Sequence, residues 1–169
     1  MRKVMLLLLA VIIICPVLIA CNNSSNVIKP TVGNIPDGWY LSDQETYGTY
    51  VEADGTKWAS IEYTDEVDSD FVQIYYGDVP QELKGNETDG DTLIERAIQE
   101  SVTFEPTETG TMNIGNHLAG YARAYNASYD YYEMEIVLVI GSTCIDIYAL
   151  FDATAADEAQ AMSLINSIR

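Results

Sequence analysis

The sequence predicts an α+β domain in which an antiparallel β-sheet is flanked by helices. Three observations predict it. Strand-like runs with alternating apolar residues recur from Gly38 to Phe151, and one helix-spaced run interrupts them at residues 92–103. A second helix-spaced run closes the chain after Thr154. Across the 169 residues the order is therefore strands, helix, strands, helix, with no internal repeat. That length leaves room for one domain of ordinary size, or for one domain plus a targeting segment. With 48% apolar residues and 12 Tyr, the composition is far from that of a disordered acidic chain.

The elements follow from local pattern. Tyr47-Gly48-Thr49-Tyr50-Val51 runs into Ala53-Asp54-Gly55, whose Asp-Gly suits a tight hairpin turn. The returning run, Trp58 to Tyr63, places Ala59, Ile61 and Tyr63 on one face, and Phe71 to Tyr76 does the same with Val72, Ile74 and Tyr76. Asp65 to Asp70 lies between them as an acidic loop. After a turn-rich stretch from Gly77 to Gly90, Thr92-Leu93-Ile94-Glu95 matches a capping box. Leu93, Ile94, Ala97, Ile98 and Val102 then follow at helical spacing, and Pro106 and Gly110 end any continuation. Leu118 to Ser128, Tyr131 to Ile140 and Thr143 to Phe151 are three consecutive strands, the last two joined by Gly141-Ser142. In the second of these, Glu133 and Glu135 alternate with Met134, Ile136 and Leu138, which predicts a strand that starts half exposed. The closing helix carries Ala161, Leu164, Ile165 and Ile168 on one side.

The N-terminus reads as a secretory signal: Arg2 and Lys3, an apolar run from Val4 to Ala20, then Cys21. Leu18-Ile19-Ala20-Cys21 also resembles the lipobox of prokaryotic lipoproteins, in which the cysteine becomes the lipidated first residue of the mature chain. The expected organisation is a signal peptide over 1–20, a lipid-anchored flexible tether over 21–36 and a single domain over 37–169. The protein is then held in the cell membrane through the lipid on Cys21 and faces the extracytoplasmic side. An uncleaved transmembrane helix is the competing reading, but the 17-residue run sits at the short end of the spanning range, and Pro16 suits a cleavage region better. With Cys15 removed and Cys21 lipidated, only Cys144 remains, so no internal disulfide forms.

Residues 35–41, Ile-Pro-Asp-Gly-Trp-Tyr-Leu, resemble the opening strand of PsbP-like proteins, where a Pro-x-Gly-Trp phrase begins the domain. The hairpin, the central helix, the three-strand run and the closing segment from Tyr148 to Ile168 are similar to that family in order. The resemblance covers roughly residues 35–169 and implies an α/β/α sandwich. It also implies a protein that assists, assembles or binds other proteins rather than one that catalyses.

Charge bounds the partners. Lys and Arg number 8 against 26 Asp and Glu, a net charge of −18. A field of that sign repels phosphate backbones and excludes nucleic acid as a partner. Asp65, Glu66, Asp68 and Asp70 form a candidate metal loop with oxygen ligands suited to Ca²⁺. An EF-hand register on Gly90 fails, because it puts Arg96 at the twelfth position. Tyr121, Arg123, Tyr125 and Tyr129 form a candidate partner-binding stripe along one strand, since exposed Tyr offers rigid area with a polar tip. Asn22, Asn23, Asn86 and Asn126 each begin a glycosylation sequon. No catalytic motif is present, His117 is the one histidine, and no catalytic residue or cofactor is expected. The functional expectation is a membrane-anchored, non-catalytic interaction or assembly module with a protein partner in a membrane complex. The alternative is an extracytoplasmic module that binds a solute or Ca²⁺.

Overall fold

The computed structural model describes residues 26–52, 55–67 and 69–169. The expected signal segment, Cys21, the Asp54 turn and Asp68 lie outside the described residues. Among the described residues no helix is long and apolar enough to cross a membrane.

Eight strands form one sheet: β1 (Trp39–Gln44), β2 (Tyr50–Val51), β3 (Lys57–Asp65), β4 (Phe71–Asp78), β5 (Glu108–Ile114), β6 (His117–Asn126), β7 (Tyr131–Ile140) and β8 (Thr143–Asp152). Helix α1 (Gly90–Glu100) separates β4 from β5, and α2 (Ala155–Ile165) follows β8. The spatial order is β1-β3-β4-β8-β7-β6-β5, with β2 also against β3, and every pairing is antiparallel. The sheet flanked by helices is thus the architecture that the alternating runs predict.

Period-2 alternation sorts the side chains onto two faces. On one, Ile61, Ile74, Ile136 and Ile147 lie in a row across four adjacent strands, and Ala161, Leu164 and Ile165 of α2 close over them. On the other, Leu93 and Ala97 of α1 pack with Trp58, Ala122, Val137, Val139 and Cys144. Of the five pairings among β3 to β8, four are hairpins local to the chain. The β4–β8 ladder is not: it runs from Phe71 opposite Leu150 to Asp78 opposite Thr143 and joins the two halves of the sheet.

Four local expectations change. Helix α1 starts earlier than the Thr92 capping box, because Asp89 is the N-cap and its carboxylate accepts from the Thr92 amide at 3.1 Å. It also ends at Glu100, leaving Val102 85% exposed beyond it, and Ile98 faces solvent too, since the helix buries only a narrow stripe. The segment around Gly110 is edge strand β5, whose alternation is faint because most of its side chains meet solvent. The expected tether is docked from Asn26 onward. Thr31 and Arg169 exchange backbone hydrogen bonds at 2.9 and 3.0 Å, Ile28 donates to Thr143 Oγ1 at 2.8 Å, and Val27 and Val32 pack on the core.

Candidate functional site

Helix α1 lies on β5, β6 and β7, which leaves the β3–β4–β8 part of the same face to side chains alone. Its close approach depends on Gly120 in β6, where a Cβ would sit 2.2 Å from the Leu93 carbonyl carbon. Where the helix stops, a cavity of about 210 Å³ opens between its last turns and β2. Arg96 and Glu100 of α1 form one wall, and Tyr50 and Glu52 form the opposite rim. Trp58, Tyr75, Glu135 and Asp146, from β3, β4, β7 and β8, make the floor. The floor has room for the indole because residue 77 is glycine: a Cβ there would meet the Trp58 ring at 2.7 Å. Tyr50 stands edge-on over Tyr75, with ring centroids 6.3 Å apart.

The register brings the polar groups together. Tyr75 pairs with Asp146, and Asp146 with Val137, so Glu135 is the diagonal neighbour of Asp146 on the same face. Both carboxyls are buried, Glu135 at 7% exposure and Asp146 at 6%. Glu135 Oε2, Asp146 Oδ1, Trp58 Nε1 and Arg96 Nε have no hydrogen-bond partner. Burying polar atoms in that state is costly, so they mark a site rather than a core. The guanidinium of Arg96 is otherwise engaged, Nη1 with Glu82 at 2.8 Å and Nη2 with Glu100. Burial, and then the negative charges of Asp146 and Glu100, hold Glu135 well above the ordinary carboxylate range. Burial and the charge of Glu100 raise Asp146 too, against an opposing pull from Arg96. Tyr75 is pushed up to about 12 by burial and then by neighbouring acidic groups. Glu133, next along the same row, is satisfied: Thr103 and Tyr148 donate to its Oε2 at 3.1 and 3.0 Å.

The expectation of a half-exposed start to β7 is therefore corrected, since Glu133 and Glu135 are both buried at 7% exposure. Thr103, beyond the end of α1, and Tyr148 of the neighbouring strand reach Glu133, and the cavity floor holds Glu135. The one sequence signal for the cavity was an acid inside an apolar run: Asp146 stands between Ile145 and Ile147 in β8.

The tyrosine stripe is divided in the fold. Tyr121 donates to Glu108 Oε1 at 2.8 Å and Tyr125 donates to Asp130 Oδ1 at 2.7 Å. Arg123 pairs with Glu158 of α2 at 2.9 Å and lies 3.8 Å from the Tyr132 ring centroid. Tyr129 belongs to the β6–β7 turn and stacks on Tyr131, away from Arg123. Tyr125 and Tyr129 are 46% and 75% exposed.

In the acidic loop, Asp65 accepts from the Ser69 and Asp70 amides at 2.9 and 3.1 Å, and with Glu66 it borders a hollow of about 160 Å³. Among the described residues no group of three or more His, Cys, Asp or Glu side chains is placed to hold a metal ion. Asp70 is buried and accepts from the Asp152 amide at 2.9 Å. Burial lifts its carboxyl to about 6, against the hydrogen bond from Asp152. Asp70→Ala leaves that amide unpaired, so urea unfolding at pH 5 should show a loss of about 1–3 kcal/mol. The deficit should narrow as pH rises from about 4 to about 6 and level off above that, because in this range the unfolded wild type releases a proton that the buried Asp70 carboxyl keeps, and the variant has no such group.

No protein-family model matches the chain, and no curated protein matches it. Among solved structures it is similar to a crystal structure of a protein from Bacteroides thetaiotaomicron VPI-5482, with 11% identity and a TM-score of 0.45. The match covers 83% of this chain and 47% of the other, so the chain spans about half the length of that relative.

Proposed function

We propose that this protein is a lipid-anchored, extracytoplasmic, non-catalytic module that binds a small solute in the cavity between α1 and β2, with Cys21 as the membrane attachment. One observation carries the reading: buried, unpartnered polar atoms of Trp58, Arg96, Glu135 and Asp146 converge on one opening. A concave site with aromatic walls and a few convergent polar groups is what a small ligand needs. On this reading the solute binds away from the acidic loop, where Asp65 and Asp70 accept from backbone amides.

A second reading, the protein-interaction module, is favoured by the exposed Tyr125 and Tyr129 at the tip of the β6–β7 hairpin. One experiment separates the two. Full-length protein in detergent micelles is melted with sugars, amino acids, amines and divalent cations, while indole emission is followed. A solute at about 100 times its Kd should stabilise by about 2.7 kcal/mol. The emission change should vanish in Trp58→Phe and persist in Trp39→Phe. If no solute class shifts the melt, and cross-linking through Tyr125 or Tyr129 captures one stoichiometric protein, the interaction reading replaces this one.

A further inference from the structure

Resting on the solute-binding reading above, we infer that the cavity takes a small organic cation, a protonated primary or secondary amine. Its N–H groups donate to Glu135 and Asp146, and Tyr50, Trp58 and Tyr75 wall its carbon skeleton. The charge inventory selects the sign. Glu52, Glu100, Glu135 and Asp146 line the opening against Arg96 alone, and Arg96 is already paired with Glu82 and Glu100. An anionic solute would meet four carboxyl groups with no cation to spare. A neutral one would leave the floor carboxyls protonated and draw nothing from the acidic surroundings.

Geometry selects an organic cation over a metal ion. The two floor carboxyls present one unpartnered oxygen each, from adjacent strands, and among the described residues no third acid joins them as a metal ligand set. Two acceptors side by side suit an ammonium group, which carries several donors on one atom. The remaining walls are aromatic faces and edges, which attract a cation as well as shielding its alkyl part. The volume, about 210 Å³, is roughly that of seven water molecules and fits a few carbon atoms behind the ammonium. Trp58 Nε1 and Arg96 Nε, both unpartnered donors, can serve a hydroxyl or carbonyl on that skeleton.

Binding is linked to protons. Without a ligand the two carboxyls resist ionisation, and an ammonium favours their charged forms, so occupation near neutral pH releases protons. The titratable groups facing them are Arg96 and Glu100 on α1, Glu82 before it, Tyr50 and Glu52 at the rim, Tyr75 on β4, Cys144 on β8 and Tyr148 beside Glu135. A simple alkylammonium keeps its own charge to about pH 10, so affinity rises from pH 5.5 to 8.

Calorimetry on full-length protein in micelles tests this with n-propylammonium, propan-1-ol and tetramethylammonium as probes. The expected result is that n-propylammonium binds at least about tenfold tighter than either of the others. Its apparent enthalpy should depend on the ionisation enthalpy of the buffer. Glu135→Gln and Asp146→Asn, shown to be folded by cooperative melts, should each weaken it by about tenfold or more. Equal binding of propan-1-ol, or unchanged affinity in both variants, overturns the assignment. If glucose or glycine binds and the amine does not, the cavity remains a solute site and the amine assignment falls. If none of these binds, both fall.

Discussion

Asp146→Asn should stabilise this protein at pH 8 and leave it nearly unchanged at pH 4. The carboxyl of Asp146 is buried beside Glu135, and both are held above the ordinary carboxylate range by burial and by neighbouring acids. The sign follows from which state holds the proton. Well below the ordinary range the group is protonated in folded and unfolded chains alike, and its titration costs nothing. As pH rises, the unfolded chain releases the proton first, while the folded chain keeps it or ionises in a dry cavity. Stability therefore falls between the ordinary range near pH 4 and the raised values of the pair. The amide of Asn has no such titration, and Arg96 retains Glu82 and Glu100 as partners. A gain on the order of 2 kcal/mol at pH 8, or roughly 4–8 °C in Tm, is the expected size. Melts of the two proteins at pH 4 and 8 decide it. A variant no more stable than wild type at pH 8 would show that Asp146 is better solvated than its burial indicates.

Gly120→Ala should act in the opposite direction and more strongly. The added methyl would lie 2.2 Å from the Leu93 carbonyl carbon and 2.3 Å from the Ile94 nitrogen. Those are backbone atoms of α1, so no side-chain rotation relieves the clash. The helix must lift, and Leu93 and Ala97, both fully buried, lose part of their contact with the sheet. Overpacking of this kind costs about 1–3 kcal/mol, and a clash with helix backbone belongs at the upper end. Urea unfolding should show a lower midpoint with a near-normal slope. The same displacement carries Arg96 and Glu100 away from the cavity, so solute binding should weaken in protein that is still folded. A loss of less than about 0.5 kcal/mol would mean that α1 does not rest on β6 as closely as the backbone positions imply.

These two residues also divide what pattern can reveal from what it cannot. Gly120 lies in a strand whose existence is plain from the alternation of residues 118–128, yet nothing nearby in sequence says that a helix some 25 residues earlier will lie upon it. Asp146 announces itself as an acid between two isoleucines, but its partners come from β3, β4, β7 and α1. Glu135 was misplaced for the same reason. Alternation with Met134 and Ile136 correctly assigns it to the face opposite them, and a single strand cannot tell whether that face meets water or protein. The tyrosine stripe has the converse history. Equal spacing put Tyr121, Tyr125 and Tyr129 in one row, but the strand ends at Asn126 and the turn sends Tyr129 to Tyr131.

What the sequence determined by itself is local: strands β3, β4 and β6 to β8 with the alternation that sorts their side chains onto two faces, the two helices, the Gly141-Ser142 hairpin, and an antiparallel α+β architecture. Each rests on interactions within one turn, hairpin or helix, and these leave a period that can be counted along the chain. The tertiary structure alone decided that β8 joins β4, that α1 stops short over β7, and that Asn26 to Val32 docks instead of swinging free. Those outcomes depend on how whole faces close over one another across long loops, where burial is summed over residues far apart in the chain. The cavity is made by that closure, since Trp58, Tyr75, Arg96, Glu135 and Asp146 become neighbours only when the last strand enters the middle of the sheet.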